Sequence, residues 1–190
     1  RSRAFLYSHG SMIDIGAIFG TDYNYARGIN DSGQIAGGTV STALLYTDGQ
    51  VTHISGPPGF TSGVFTSDIN SFGVVVGFGN SGSSSKMFYY SNGTTTPFLE
   101  SLFPTHSAIN DRGQIVGYNI DIFSSRAFVF SDGNVQYLTG LSSNPHVYAY
   151  DINNNSIIVG AATVAKIGQY RAFIKDYSRR GPTQDLNNLI

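Results

Sequence analysis

The sequence predicts an all-β protein: a β-propeller built from four-stranded repeats of about 40 residues, five-bladed with one incomplete or composite blade. Three observations predict it. An Asn-led phrase recurs as GINDSGQIAG at 28–37, DINSFGVVVG at 68–77, AINDRGQIVG at 108–117 and DINNNSIIVG at 151–160. This places Asn30, Asn70, Asn110 and Asn153 at spacings of 40, 40 and 43. An aromatic phrase interleaves with it: RAFLYSHG at 3–10, TALLYTDG at 42–49, KMFYYSNG at 86–93, RAFVFSDG at 126–133 and RAFIKDYS at 171–178. No stretch of useful length shows helical periodicity, and four short strands in each repeat leave no room for a helix.

Each repeat reads as strands A to D. Strand A is the apolar approach to the Asn, and strand B is the QIVG-type run after it. Asn at the first position of a turn bonds its own backbone two residues on, while Gly33, Gly73 and Gly113 suit a positive φ. Asp31 and Asp111 are turn residues by the same logic. Module four carries Ser156 in place of that glycine and Ile157 in place of the Gln, which predicts a different turn type; module two departs at Phe72 and Val74. Strand C is the aromatic run, and its His-Gly, Asp-Gly and Asn-Gly pairs predict tight hairpins into strand D. The D strands are SMIDIG, QVTHIS, TTTPFL, NVQYLTG and PTQDLNNLI. Along strand C, Phe5, Tyr7, Phe88, Tyr90, Phe128, Phe130 and Phe173 alternate, which assigns one set to the packing between blades.

The chain reads as a single domain over 1–190, with modules at about 25–57, 65–102, 105–140 and 148–190 and a half-blade at 1–20 that supplies only a C–D pair. A β-solenoid is the main rival, but its coils are shorter and do not depend on consecutive tight hairpins. A two-sheet sandwich would not need a phrase recurring at this period. Four A–B pairs and five C–D pairs leave one blade short of its inner strands. A lost A–B pair, a second molecule that completes the ring, or four closed blades with an extra hairpin outside would each account for it. The opening Arg1-Ser2-Arg3-Ala4-Phe5 lies inside a repeat phrase and reads as a processed or trimmed start.

Composition narrows the function classes. Charged residues are 12% of the 190 and the net charge is −1, so polarity comes from neutral Ser, Thr, Asn and Gly, as in many secreted all-β proteins. No basic cluster exceeds Arg179-Arg180, which argues against a nucleic-acid partner. Without Cys there is no disulfide and no thiolate metal site. No apolar run is long enough for a membrane helix, and no signal peptide is seen. Asn30, Asn92 and Asn154 open N-x-S/T triplets, but all three fall in tight turns.

The paired phrases at 26–37, 107–117, 3–16 and 126–140 resemble the bacterial extracellular HAF repeats, and the terminal DLNNLI resembles the D strand that precedes a further repeat in such proteins. The resemblance covers nearly the whole chain. It implies a secreted or surface-exposed repeat protein and lends no catalytic residue.

Candidate chemistry is sparse. The Asn series suits a structural turn role far better than a ring of amides lining a channel. His9, His53, His106 and His146 show no H-x-x-x-H or H-E-x-x-H spacing, although His106 and His146 flank strand A starts and could share a face. There is no G-x-S-x-G elbow, and Glu occurs once, at Glu100. No cofactor or metal is expected. The irregular D–A and B–C connections point to a binding face instead. Its candidate ligand residues are Tyr23, Tyr25, Phe60, Phe65, Phe103, His106, His146 and Tyr148. Aromatic rings among neutral polar groups suit a glycan or a protein ligand; the competing role for half of them is to plug gaps between blades. The expected function is a secreted, non-enzymatic binding module. A secreted polysaccharide hydrolase or lyase using Asp, His and Tyr, or a structural segment of a larger surface protein, are the alternatives.

Overall fold

The computed structural model describes every residue except 1, 21, 144–145, 165–167, 180 and 189–190. Outside the described residues therefore lie Arg1 of the opening phrase, Arg180 of the basic pair, parts of the irregular connections at 18–25, 141–148 and 163–169, and the last two residues of DLNNLI.

Eighteen short strands occur among the described residues, with two single 3-10 turns at Ile15–Ala17 and Leu186–Asn188. Strands β1 (Phe5–Ser8) and β2 (Ser11–Asp14) form a two-stranded sheet. Four-stranded antiparallel meanders follow. The first comprises β3 (Asn24–Ile29), β4 (Ile35–Thr39), β5 (Ala43–Thr47) and β6 (Gln50–Ile54). The second comprises β7 (Gly63–Ile69), β8 (Val75–Ser81), β9 (Ser84–Ser91) and β10 (Thr94–Ser101). Then come β11 (Phe103–Ile109), β12 (Ile115–Ile120), β13 (Ser125–Ser131) and β14 (Asn134–Tyr137), and finally β15 (Val147–Ile152), β16 (Ile157–Thr163), β17 (Tyr170–Asp176) and β18 (Gln184–Asp185). Each sheet is one A-B-C-D repeat, and β1–β2 is a C–D pair alone. The chain forms two compact units, Arg1–Pro97 and Phe98–Ile190, with β10 running across the boundary.

The C–D hairpins turn as their residues require. His9 and Gly10, Asp48 and Gly49, Asn92 and Gly93, and Asp132 and Gly133 all hold positive φ at both turn positions. The A–B turns depend on one side chain. Asn30 Oδ1 accepts from the Ser32 and Gln34 amides at 3.1 and 3.0 Å, while Nδ2 donates to Gln34 Oε1 at 2.8 Å. The same Nδ2 donates to the Asn70 carbonyl, the equivalent residue of the next sheet, at 3.0 Å. In the second unit Asn110 repeats the pattern: Oδ1 accepts from Arg112 and Gln114, and Nδ2 donates to Gln114 Oε1 and to the Asn153 carbonyl at 2.9 Å. A turn residue is thus also a clamp between successive sheets.

Module four keeps this turn rather than adopting a different one. Asn153 Oδ1 accepts from Asn155 and Ile157, and Ser156 takes the glycine's left-handed conformation at φ 62. The conformation is unfavourable for a residue with a Cβ, but the buried Ser156 hydroxyl donates to Gln114 Oε1 at 2.8 Å, which offsets it.

Three buried clusters lie between successive sheets. One joins Ala4, Ile15 and Phe19 to Ile35 and Leu44. Another joins Ala36, Ala43 and Ile54 to Val64, Ile69, Val75 and Phe88. In the second unit Val116, Ala127 and Val129 meet Val147, Ala149, Ile158 and Phe173. Within a sheet, a strand B glycine faces the large residue of strand C: Gly37 faces Leu44, Gly77 Phe88, Gly117 Phe128 and Gly160 Phe173. A Cβ at Gly160 would run into the Tyr148 carbonyl and the Phe173 ring, so the site is closed to other residues. The expectation that the strand C aromatics are core holds for Phe88, Phe128 and Phe173, all 0% exposed, and fails for Phe5 and Tyr7, which are 58% and 65% exposed. The reason is the missing strand B beside β1.

The half-blade is nevertheless docked as a blade. The Asn24 amide donates to the Ser2 carbonyl at 3.0 Å, as the Val64 amide donates to Ser41 between the complete sheets at 2.9 Å. Asn24 also accepts from the Ala4 amide and donates to the Gly16 carbonyl. Arg3 bridges Asp14 and Asp22, and Arg171 bridges Asp185.

Two outcomes follow. Asn110→Asp keeps the acceptor that shapes the turn but sets a carboxylate against two acceptor oxygens. It should cost roughly 2 kcal/mol at neutral pH, with part recovered in acid; urea unfolding that shows Asp equal to Asn would leave only the turn role. Hydrogen bonds hold four carboxylates below their ordinary 3.8: Asp14 by Arg3, Asp121 by the Phe123 amide, Asp176 by Ser178 and Asp185 by Arg171. Each contributes stability that is present above that ordinary value and lost as pH falls below it. Melting temperature should be level at mildly acid to neutral pH and drop below it, with a shallower drop in an Asp14→Asn, Asp185→Asn variant.

Candidate functional site

The structure divides the eight sequence-derived candidates between the two units. In the first, Tyr23 is exposed beside Ser2, with which it forms a parallel bridge. Tyr25 is half-buried at the start of β3, with the Arg27 guanidinium 5.3 Å from its ring centre. Its hydroxyl is buried facing Thr66 without a hydrogen bond of good geometry, and burial pushes its pKa up. Phe60 carries the Lys86 ammonium over its ring at 4.5 Å, and Phe65 stacks on Phe78 at 5.1 Å. Tyr25, Phe60 and Phe65 are thus taken up locally.

In the second unit, Phe103 is exposed at the start of β11 opposite Ile120. His146 bridges to Ser125, its Nδ1 3.4 Å from the Ser125 hydroxyl. His106 and Tyr148 are brought together, and with them come three tyrosines the sequence reasoning passed over. Tyr118 lies directly across from His106 in the β11–β12 pair. The Tyr148 ring meets Tyr118 edge-on at 4.9 Å, lies nearly parallel to Tyr150 at 6.4 Å, and tilts against Tyr170 at 5.8 Å.

A β-bulge makes this possible. The β15–β16 register shifts between Ala149 and Asp151, leaving Tyr150 as the extra residue, and a bulge re-aims its side chain. The same bulge leaves Arg27 extra in β3, which is why Arg27 reaches the Tyr25 ring there. Two rings of the cluster stay open to solvent: Tyr150 is 46% and Tyr170 53% exposed. Tyr148 and Tyr150 are two apart in sequence, but the bulge between them breaks the alternation that such spacing relies on. Tyr118 shares its repeat position with Phe78, whereas Tyr170 stands where the other repeats carry serine.

The electrostatics are those of a neutral surface. Burial and the neighbouring phenols Tyr118 and Tyr148 push the Tyr150 pKa up, and a hydrogen bond with Tyr148 raises that of Tyr170. These phenols stay protonated and act as donors. His106 Nε2 lies 2.6 Å from the Tyr150 carbonyl, which only accepts, so Nε2 carries a proton. Nearby at the β12–β13 connection, Asp121 accepts from the Phe123 and Ser124 amides and the Ser124 hydroxyl, a tight turn that leaves Ile122 and Phe123 exposed. Among the described residues no three His, Asp or Glu side chains gather into a metal-binding group, and no helix is long and apolar enough to cross a membrane.

No family model matches the chain, and no curated protein does. Solved structures do. The β-propeller domain of the Trilobed protease from Pyrococcus furiosus, described as having an open velcro topology, aligns with a TM-score of 0.60 at 12% identity over 87% of this chain and 55% of that one. A putative gluconolactonase aligns with a TM-score of 0.49 at 10% identity over 86% of this chain and 63% of that one. The chain thus spans about half the length of the propeller domain it matches. At such identity the first likeness shows the fold alone: the chain is a β-propeller of four-stranded blades, with one blade two-stranded.

Proposed function

We propose that the protein is a non-enzymatic binding module that takes a neutral glycan on the exposed rings of Tyr150 and Tyr170. The observation that carries this reading is the tyrosine cluster itself, two rings held open on a floor formed by Tyr118 and Tyr148. Sugar rings offer C–H faces to stack on aromatic rings and hydroxyls to bond around them. The protonated phenols of Tyr150 and Tyr170 supply neutral hydroxyl groups, matched to the hydroxyls of a sugar rather than to ions. Phenols held protonated are not available as general bases, which favours binding over hydrolysis. The neutral composition and the resemblance to HAF repeats support an extracellular setting.

A protein ligand is the second reading, favoured by the exposed Phe103, Ile122 and Phe123 at the ends of β11 and β12. Titration against a panel of neutral oligosaccharides separates the two. Under the glycan reading, Tyr150→Ala and Tyr170→Ala should each weaken binding about tenfold with little change in melting temperature, because each removes one stacking surface. Glycan affinity that survives both changes, or no glycan binding at all, sinks it. Turnover of any polysaccharide that His106→Ala abolishes would replace it with the enzymatic alternative.

A further inference from the structure

The half-blade leaves a groove whose shape the rest of the molecule defines. It is lined by Phe5, Leu6 and Tyr7 of β1 and by Ala26, Arg27, Gly28 and Ile29 of β3, with Ile35 of β4. Repeat-equivalent positions show what should fill it. Phe5 corresponds to Phe88, Phe128 and Phe173, each fully buried against a strand B glycine, while Tyr7 corresponds to buried Tyr90. Ile29 is 56% exposed, whereas its equivalents Ile69, Ile109 and Ile152 are at 5%, 6% and 4%. Phe5 and Ile29, whose equivalents the other repeats bury, and Tyr7, whose equivalents are buried or partly buried, are bare together in one groove.

The backbone carries the same message. Ser8 and Ser11 close the two-residue β1–β2 hairpin, so alternation directs the main-chain groups of Phe5 and Tyr7 to the open edge of β1. The Asn70 carbonyl accepts twice, from Gly73 and from the amide of the preceding Asn30, and Asn153 likewise accepts from Ser156 and Asn110. The Asn30 carbonyl accepts from Gly33, which leaves a lone pair where the other two hold an incoming Asn amide. Gly28 marks the closest approach: in the complete interface, Asp68 and Ile69 of the neighbouring A strand press on it from the following side. The docking bond from Asn24 to Ser2, equivalent to Val64 to Ser41, holds β1 in the blade position relative to β3.

We propose that this groove binds a β-hairpin of the repeat's own A–B type, carried on another polypeptide segment. Its B strand pairs with β1 and sets a glycine under Phe5. Its A strand covers Ile29, and its turn Asn donates to the Asn30 carbonyl. Recognition is strand addition with a specified side-chain code: main-chain bonds along the edge, glycine opposite the aromatic ring, and an amide at the turn.

The test uses the full chain and a labelled synthetic peptide with the sequence of residues 103–120, FPTHSAINDRGQIVGYNI. Fluorescence anisotropy should show saturable binding that raises the melting temperature of the chain. Peptides carrying Gly117→Val or Asn110→Asp should lose about tenfold or more in affinity. In the chain, Phe5→Lys and Ile29→Lys alter exposed side chains, so they should abolish binding while leaving the fold's melting transition in place. A folded chain that does not bind the peptide, or binds all peptides alike, overturns the proposal. A concentration-dependent dimer that Phe5→Lys dissolves and the peptide does not displace overturns it too, assigning the edge to a second copy of the chain.

Discussion

An asparagine carboxamide has an acceptor end and a donor end, and this fold depends on using both at once. Oδ1 of Asn30 or Asn110 organises the turn in which the residue sits, and Nδ2 reaches the carbonyl of the equivalent residue in the next sheet. Local geometry and blade-to-blade registration are therefore fixed by one side chain. No other residue type performs both tasks. Aspartate keeps the turn and loses the donor, serine is too short to span the gap, and glutamine cannot close the two-residue turn. A repeat built this way gains little from standing alone, since half of each clamp and half of each apolar face lie on its neighbour.

The second constraint is steric. Apposing a strand B glycine to a strand C phenylalanine lets the ring lie flat across the neighbouring backbone, where the sheet can accept the next blade closely. The glycine that ends each QIVG-type run also sits against a strand A carbonyl, of Tyr25, Phe65, His106 or Tyr148, which is the first atom a Cβ would strike, and Phe88, Phe128 and Phe173 opposite it are fully buried in short strands. It also separates the two ends of each sheet. The turn end is committed to clamps, while the opposite end carries the irregular connections. Between them, two residue pairs from the turn, the β15 bulge shifts the register and aims Tyr150 outward.

Much of this was legible in the sequence because turns and spacing are local. The Asn spacing, the Asp-Gly and Asn-Gly hairpins and the order of four strands need nothing beyond a few adjacent residues. What was hidden depends on partners. Phe5 reads like Phe128, yet its burial is decided by a strand that is not beside it. Ser156 reads as a broken turn until Gln114, 42 residues away, is seen to hold its hydroxyl. Of the binding-face candidates, only His106 and Tyr148 enter one cluster, His106 through the Tyr150 carbonyl and Tyr148 through its ring, while Tyr25, Phe60 and Phe65 find local partners. The other three members of their cluster are Tyr118, Tyr150 and Tyr170. A bulge reverses the parity on which strand reasoning relies, so Tyr150 could not be placed by counting.

The clamps also give the array a direction. Within each unit the leading Asn, Asn30 or Asn110, hands its amide forward along the chain and the following one, Asn70 or Asn153, receives it at its carbonyl, so the two sides of a blade are chemically unlike. A blade without a predecessor keeps an acceptor, a bare isoleucine and an open strand edge on one side only. Non-specific association would need no such coincidence: an exposed apolar patch attracts anything apolar. Here the exposed groups are spaced as one repeat spaces them, and each has a buried counterpart elsewhere in the chain. The side chains that look misplaced on β1 and β3 are therefore in register with the fold, and their exposure follows from β1 having no inner strands beside it among the described residues.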